Sequence, residues 1–275
     1  MAQTRGVNQA RAQKLIPLLR AFTADPAGVV RALPGELRQK RGTDQYAEPD
    51  IDEAWFEHLH GLLGASWPCP DSSELGALLA DITSRLEACG LPAGRHTYGW
   101  YSDAEQSLCS AIWCAVRHVQ PDLVIETGVA HGVSSRVVLE ALGRNDRGRL
   151  VSIDLPHPLD HRLHDQTGVA VTEGCRTRWT YVAGSSQQRL PAVVAGIDKV
   201  QVFIHDSLHT AKNTLFEMEQ VAAKMAPGGV MLIDDIKAHN GFATFAERHP
   251  GYQTIVCPTP DQLGIFGIAV NTAAR

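Results

Sequence analysis

Four short apolar runs in this chain lead up to acidic residues, and their spacing restricts the fold more than any other feature. The run 123–125 closes on Glu126, 150–153 on Asp154, 200–204 leads to Asp206, and 230–233 closes on Asp234-Asp235. A fifth run, 180–183, lies among them. Each is continuous rather than alternating, as expected of strands covered on both faces. Between them, 103–118, 135–142 and 210–225 carry helical spacing, the last stopped by Pro227-Gly228-Gly229. This alternation predicts an α/β fold: a Rossmann-like, doubly wound, mostly parallel sheet. Residues 252–257 and 263–270 face each other across 258–262, so a C-terminal antiparallel hairpin is expected.

The first hundred residues have a different character. Ile51, Trp55, Phe56, Leu59, Leu62 and Leu63 share one helical face, and Leu75, Leu78, Leu79, Ile82 and Leu86 another. Ser73 is the expected N-cap of the second helix and Gly90 its stop. We therefore expect an N-terminal helical region over 1–100, acting as a substrate lid or an oligomer interface, and a sheet domain over 101–275. A net charge of −5 gives no electrostatic reason for a nucleic-acid or anionic-membrane partner. There is no long apolar run of the kind a membrane-spanning helix needs. The cysteines, Cys69, Cys89, Cys109, Cys114, Cys175 and Cys257, are scattered without a CxxC pair. They read as reduced thiols of a cytoplasmic protein.

Open α/β sheets bind ligands at the carboxyl ends of their strands, where the strand order reverses. The first strand leads into Glu126-Thr127-Gly128-Val129-Ala130-His131-Gly132-Val133-Ser134. Gly128 and Gly132 permit a tight turn and a close approach to a ligand. Their spacing is not that of a dinucleotide-binding GxGxxG, which disfavours a nicotinamide dehydrogenase. Glu126 would oppose a phosphate and suit a cationic amino-acid moiety. Asp154 is placed to accept from two ribose hydroxyls.

The stretches 124–134 (VIETGVAHGVS), Ile153-Asp154 and Gly184-Ser185-Ser186-Gln187 resemble the class I S-adenosylmethionine-dependent methyltransferases. The chain is similar to the catechol-type, cation-dependent O-methyltransferases, over about 123–236. The resemblance implies that Glu126, Gly128 and Ser134 hold the methionine end of the donor, with Gly132 also in the cofactor-binding turn. It also implies that Asp154 takes the ribose and that Ser186 and Gln187 sit by the adenine. Proteins of this type are often dimers, and an N-terminal helical layer is a natural interface.

At the reaction end, Asp206, Asp234 and Asp235 are expected to meet if their strands are parallel neighbours. Three adjacent carboxylates raise one another's pKa unless a cation joins them. An oxygen-seeking ion such as Mg²⁺ resolves that conflict and acidifies a bound hydroxyl. The same acids could instead cap turns. The resemblance places a metal ligand at Asp206 and a pair at Asp234-Asp235. Asp-Asp there is more similar to the macrolide-sugar and aminocoumarin-sugar O-methyltransferases than to the catechol-type Asp-Asn. The catechol-type base, a lysine three residues after the first metal Asp, is replaced by His209, a suitable base near neutral pH. His131 would touch the donor or face solvent, and His239 would serve as base or line the pocket. Tyr98, Trp100 and Tyr101 would wall the substrate or pack the N-terminal helices, and Trp179 would flank adenine or fill core. The expected activity is methyl transfer from S-adenosylmethionine to a small-molecule hydroxyl, of a sugar or natural product, assisted by metal. The alternatives are a metal-independent N- or C-methyltransferase and a non-catalytic cofactor-binding protein.

Overall fold

The computed structural model describes residues 50–92, 97–98, 102–155, 161–260 and 264–273. Two helices, α1 (Trp55–Leu63) and α2 (Ser72–Ala88), precede α3 (Gln106–Val119). The sheet then begins: β1 (Leu123–Thr127), α4 (Val133–Arg144), β2 (Arg149–Asp154), β3 (Trp179–Ala183), α5 (Ser186–Ala195), β4 (Val200–His205), α6 (Ala211–Ala222) and β5 (Met225–Ile233). After α7 (Gly241–Arg248) the chain closes with β6 (Tyr252–Pro258) and β7 (Ile265–Asn271). The strands form one seven-stranded sheet in the order β3-β2-β1-β4-β5-β7-β6. Pairing is parallel from β3 to β5, and β7 runs antiparallel to both β5 and β6. The predicted class is therefore the observed one, and the order reverses between β1 and β4.

Residue parity along the strands explains which helices cover which face. Val124, Leu150, Val202, Ile204, Val230 and Leu232 pack in one cluster with α3 and α4. Ile125, Val151, Phe203, Met231 and Ile233 pack in the other with residues of α5, α6 and α7. Leu59 of α1 and Leu75, Ile82 and Leu86 of α2 are buried in the first cluster, so the N-terminal helices share a core with the sheet. A fully buried side chain of this size contributes about 1.5–3 kcal/mol.

Several local expectations change. Ile51 precedes α1 and is 47% exposed, so it is not part of the apolar face. Asp71, not Ser73, occupies the N-cap of α2. α3 starts at Gln106 because Glu105 caps it, its carboxylate accepting from the N–H groups of Ser107 (2.9 Å) and Leu108 (2.8 Å). Pro227-Gly228-Gly229 does not stop α6, which ends at Ala222; it lies inside β5. There β5 bulges, since Val200 and Val202 of β4 pair with Met225 and Val230. Trp100 and Tyr101 lie outside the described residues, as do 1–49. No helix among the described residues is long and apolar enough to cross a membrane.

Candidate active site

Backbone bonds that continue the ladders past the strand ends bring the acids together. The Gly128 N–H donates to Ile153 O, Asp206 N–H to Thr127 O, and Asp234 N–H to His205 O, at 2.8–2.9 Å. Gly128 has φ +88°, and a Cβ there would stand 1.9 Å from the carbonyl oxygen of Asp206. Gly132 has φ +84°, and its Cβ would meet Gly168 Cα at 2.8 Å. Both glycines thus permit backbone to approach backbone at the switch point, rather than serving only a ligand. Gly128→Ala is expected to cost about 3 kcal/mol or more, from left-handed strain plus overpacking. Denaturant unfolding measures this.

Glu126 is fully buried under the turn. Its two carboxylate oxygens accept from Ser134, Ser135 and Ser152 hydroxyls, each at 2.6 Å. Burial lifts its pKa, and the three donated bonds pull it back. Glu126 and Ser134 therefore bond to each other, clamping the β1–α4 turn. Asp154 ends β2 beside this turn and accepts from the Val129 N–H at 3.3 Å. Burial, with the charges of Glu126 and Asp206, lifts its carboxyl to about 7.

His131 does not face solvent. It is buried, its Nδ1 is 3.0 Å from Asp103 Oδ2, and its Nε2 has no partner among the described residues. Tyr98 packs edge-on against His131 at 5.2 Å, and its hydroxyl donates to Leu163 O at 3.0 Å. Trp179 Nε1 donates to Ser152 Oγ at 2.9 Å, and a Cβ on Gly168 would strike its ring; half-buried, Trp179 packs against the core and lines a cavity with Tyr181 and His164. Ser186 and Gln187 open α5. Gln187 Nε2 donates to Asn213 Oδ1 at 3.2 Å, and Ser186 bonds to Glu217, so both are tied to α6.

Sequence reasoning passed over Glu217. This α6 residue is fully buried and accepts from Thr127 (2.5 Å), His205 Nδ1 (2.7 Å), Ser207 (2.7 Å) and Asn213 (2.8 Å). Burial alone would raise its pKa; His205 and the hydroxyls of Ser186 and Thr127 instead hold it down at about 2. The network joins β1, β4, α5 and α6 directly below the acid cluster. The signal available was helical spacing, since Asn213 and Glu217 are four residues apart beside Thr214.

His239 belongs to this network rather than to the pocket. Its Nδ1 accepts from the Gly241 N–H at 3.2 Å, so Nε2 donates to Thr214 Oγ1 at 3.2 Å. Thr214 lies 2.9 Å from His205 Nε2. Burial and the neighbouring histidines lower His239 to about 4, and both its nitrogens are engaged.

Above the network the acids converge. His205 of β4 pairs with Ile233 of β5, so Asp206 and Asp234 follow in register. Alternation carried one residue past each strand places both on the face covered by α3, while Asp235 follows with a left-handed backbone, φ +48°. Ligand atoms of Asp206, His209 and Asp234 all lie within 4.8 Å of one another. His209 Nε2 is 3.5 Å from Asp206 and 4.0 Å from Asp234, while its Nδ1 is 3.4 Å from Asp235. Burial raises Asp206, and burial with the Asp206 charge lifts Asp234 to about 7. Burial pushes His209 down, but its bonds to Asp206 and Asp235 and the Asp234 charge leave it well above its ordinary value. The four predicted residues meet as expected, with one change: the imidazole separates Asp235 from the other two acids.

Residues 125–236 match a family model described as a methyltransferase domain. No curated protein matches the chain in sequence. Among solved structures, the O-methyltransferase TomG from Streptomyces achromogenes, in complex with SAM, is 17% identical with a TM-score of 0.53, covering 71% of this chain and 90% of that one. An O-methyltransferase from Bacillus cereus, in complex with SAH, is 15% identical with a TM-score of 0.54, covering 80% and 99%. These likenesses concern the fold. The domain match over 125–236 and the shared fold thus agree that this stretch is similar to methyltransferase domains.

Proposed function

We propose that the chain moves the methyl group of S-adenosylmethionine to a hydroxyl oxygen of a small molecule at the cluster of Asp206, His209 and Asp234. The observation that carries this reading is the convergence of these three side chains at the ends of adjacent parallel strands, beside the β1 turn. The acceptor oxygen attacks the methyl carbon in line as the carbon–sulfur bond breaks; sulfur keeps the electron pair and the hydroxyl proton departs. Asp154 at the end of β2 suits the donor's ribose, and the unpartnered Nε2 of buried His131 suits a polar group of the donor at the turn. A net charge of −5 fits a small-molecule acceptor better than a nucleic acid. The Asp234-Asp235 pair supports a sugar or natural-product hydroxyl through its likeness to the macrolide-sugar enzymes.

The donor set fits a divalent cation. Two facing carboxylates need a positive charge between them, and His209 offers a ring nitrogen to the same space. Asp206, Asp234 and His209 would hold the ion, and Asp235 on the opposite ring nitrogen would fix the imidazole's orientation. A nitrogen beside two carboxylates suits Mn²⁺ as well as Mg²⁺. When bound, the ion supplies Lewis acidity that eases loss of the acceptor's proton.

One observation favours a second reading without metal. His209 lies within ion-pair reach of all three acids, so a protonated His209 offsets part of their charge and leaves an Asp206 or Asp234 carboxylate to take the acceptor proton. Labelled S-adenosylmethionine with a panel of hydroxylated acceptors decides between them. Under the metal reading, EDTA abolishes transfer and Mg²⁺ or Mn²⁺ restores it. Activity that survives exhaustive chelation leaves only the metal-free reading.

A further inference from the structure

A second group of metal-type ligands lies away from the strand ends, in the N-terminal helical layer. His60 near the end of α1, Cys69 in the α1–α2 connection, and Cys114 and His118 of α3 present ligand atoms all within 4.8 Å of one another. Cys114 and His118 are four residues apart on one helix, which puts both on the same face. The loop carrying Cys69 is fastened to that helix: Trp113 Nε1 donates to Asp71 O at 2.9 Å, and Arg117 Nη2 pairs with Asp71 at 3.2 Å.

The distances match a tetrahedral ion. Bonds of about 2.3 Å to sulfur and about 2.0 Å to nitrogen separate two sulfurs by about 3.8 Å and sulfur from nitrogen by about 3.5 Å. Here Cys69 Sγ is 3.6 Å from Cys114 Sγ and 3.3 Å from His118 Nε2. His60 supplies an independent indication. Its Nδ1 donates to Phe56 O at 2.6 Å, which leaves Nε2 as the bare lone pair. That Nε2 is buried with no hydrogen-bond partner among the described residues. A backbone carbonyl on one ring nitrogen and a ligand position on the other is the usual arrangement of a metal-binding histidine. His60, Cys69 and Cys114 are buried and His118 is partly so. The Trp67 ring stands over the group, 5.1 Å from His60.

We propose that His60, Cys69, Cys114 and His118 bind one zinc ion. Two thiolates and two neutral imidazoles balance a divalent charge and fill all four positions, so the site is structural. It fastens α1 and the α1–α2 connection to α3, which shares the buried core with the sheet.

The test uses the full chain purified without chelator. Elemental analysis should find about one zinc per chain, as a closed four-ligand site retains its ion through purification. Replacing zinc with Co²⁺ in the wild-type protein should give a thiolate-to-cobalt charge-transfer band with tetrahedral visible bands. The Asp206–His209–Asp234 cluster has no sulfur and cannot produce that band. The band should vanish in Cys69→Ser and in Cys114→Ser, and persist in Asp206→Asn. The proposal is overturned if the wild-type chain holds no zinc and gives no charge-transfer band with cobalt. It is equally overturned if the band survives Cys69→Ser, or if peptide mapping of the purified wild-type chain finds Cys69 and Cys114 joined as a disulfide.

Discussion

Asparagine at position 206 or 234 is expected to lower methyl transfer by a factor of about 10² to 10⁴, the range for losing a group that handles the acceptor proton. Asparagine preserves shape, so the change isolates charge. S-adenosylmethionine binding should be unaffected, because both carboxylates follow β4 and β5 while the ribose position we propose is at Asp154, at the end of β2. Asp235→Asn should cost less, about 10- to 100-fold, since Asp235 meets the far ring nitrogen of His209 and acts through it. Single-turnover rates with labelled donor separate the three variants. Equal losses at 206, 234 and 235 would contradict the arrangement described.

The second large effect concerns stability. Glu217→Ala removes the acceptor shared by Thr127, His205, Ser207 and Asn213 and leaves buried donors facing a void. Breaking a buried pair from one side costs about 3–5 kcal/mol. The pH dependence has a definite sign. The folded carboxyl is held at about 2, below an ordinary value of 4.5. Its contribution is therefore complete above pH 4.5 and is lost as pH falls toward 2. The difference between those values corresponds to about 3 kcal/mol. Denaturant unfolding from pH 6 down to pH 2 should show this loss in the wild-type chain. Glu217→Gln should be less stable at pH 6 and show a shallower acid dependence.

How far the sequence disclosed these features follows from the strength of each local signal. The strands β1, β2, β4 and β5 were legible because both faces are covered, so each carries a mostly apolar run. Their closing acids were legible because a charge ends such a run, and parallel pairing then brings Asp206 beside Asp234. The split of Asp235 from its neighbour comes with a left-handed backbone at Asp235, just past β5, which the residue pattern does not mark. α5 and α7 went unread: α5 is ten residues long with Pro191 inside it, and α7 is only eight. Pro227-Gly228-Gly229 was misplaced because a bulge inside a strand uses the same residues as a helix stop. The closing of Glu126 onto three serines could not be read, since Ser152 comes from a different strand. The His60–Cys69–Cys114–His118 group escaped because its halves lie 45 residues apart at Cys69 and Cys114. Only the i,i+4 pair Cys114 and His118 hinted at it.

The central claim is that a sulfonium donor sits at the ends of β1 and β2, facing the acids of β4 and β5. Calorimetric titration with S-adenosylmethionine reads this most directly. We expect saturable binding at one site per chain, weakened by about tenfold or more in Asp154→Ala, the equivalent of about 1.4 kcal/mol. A flat titration of the folded wild-type chain, or equal affinity in Asp154→Ala, would contradict it.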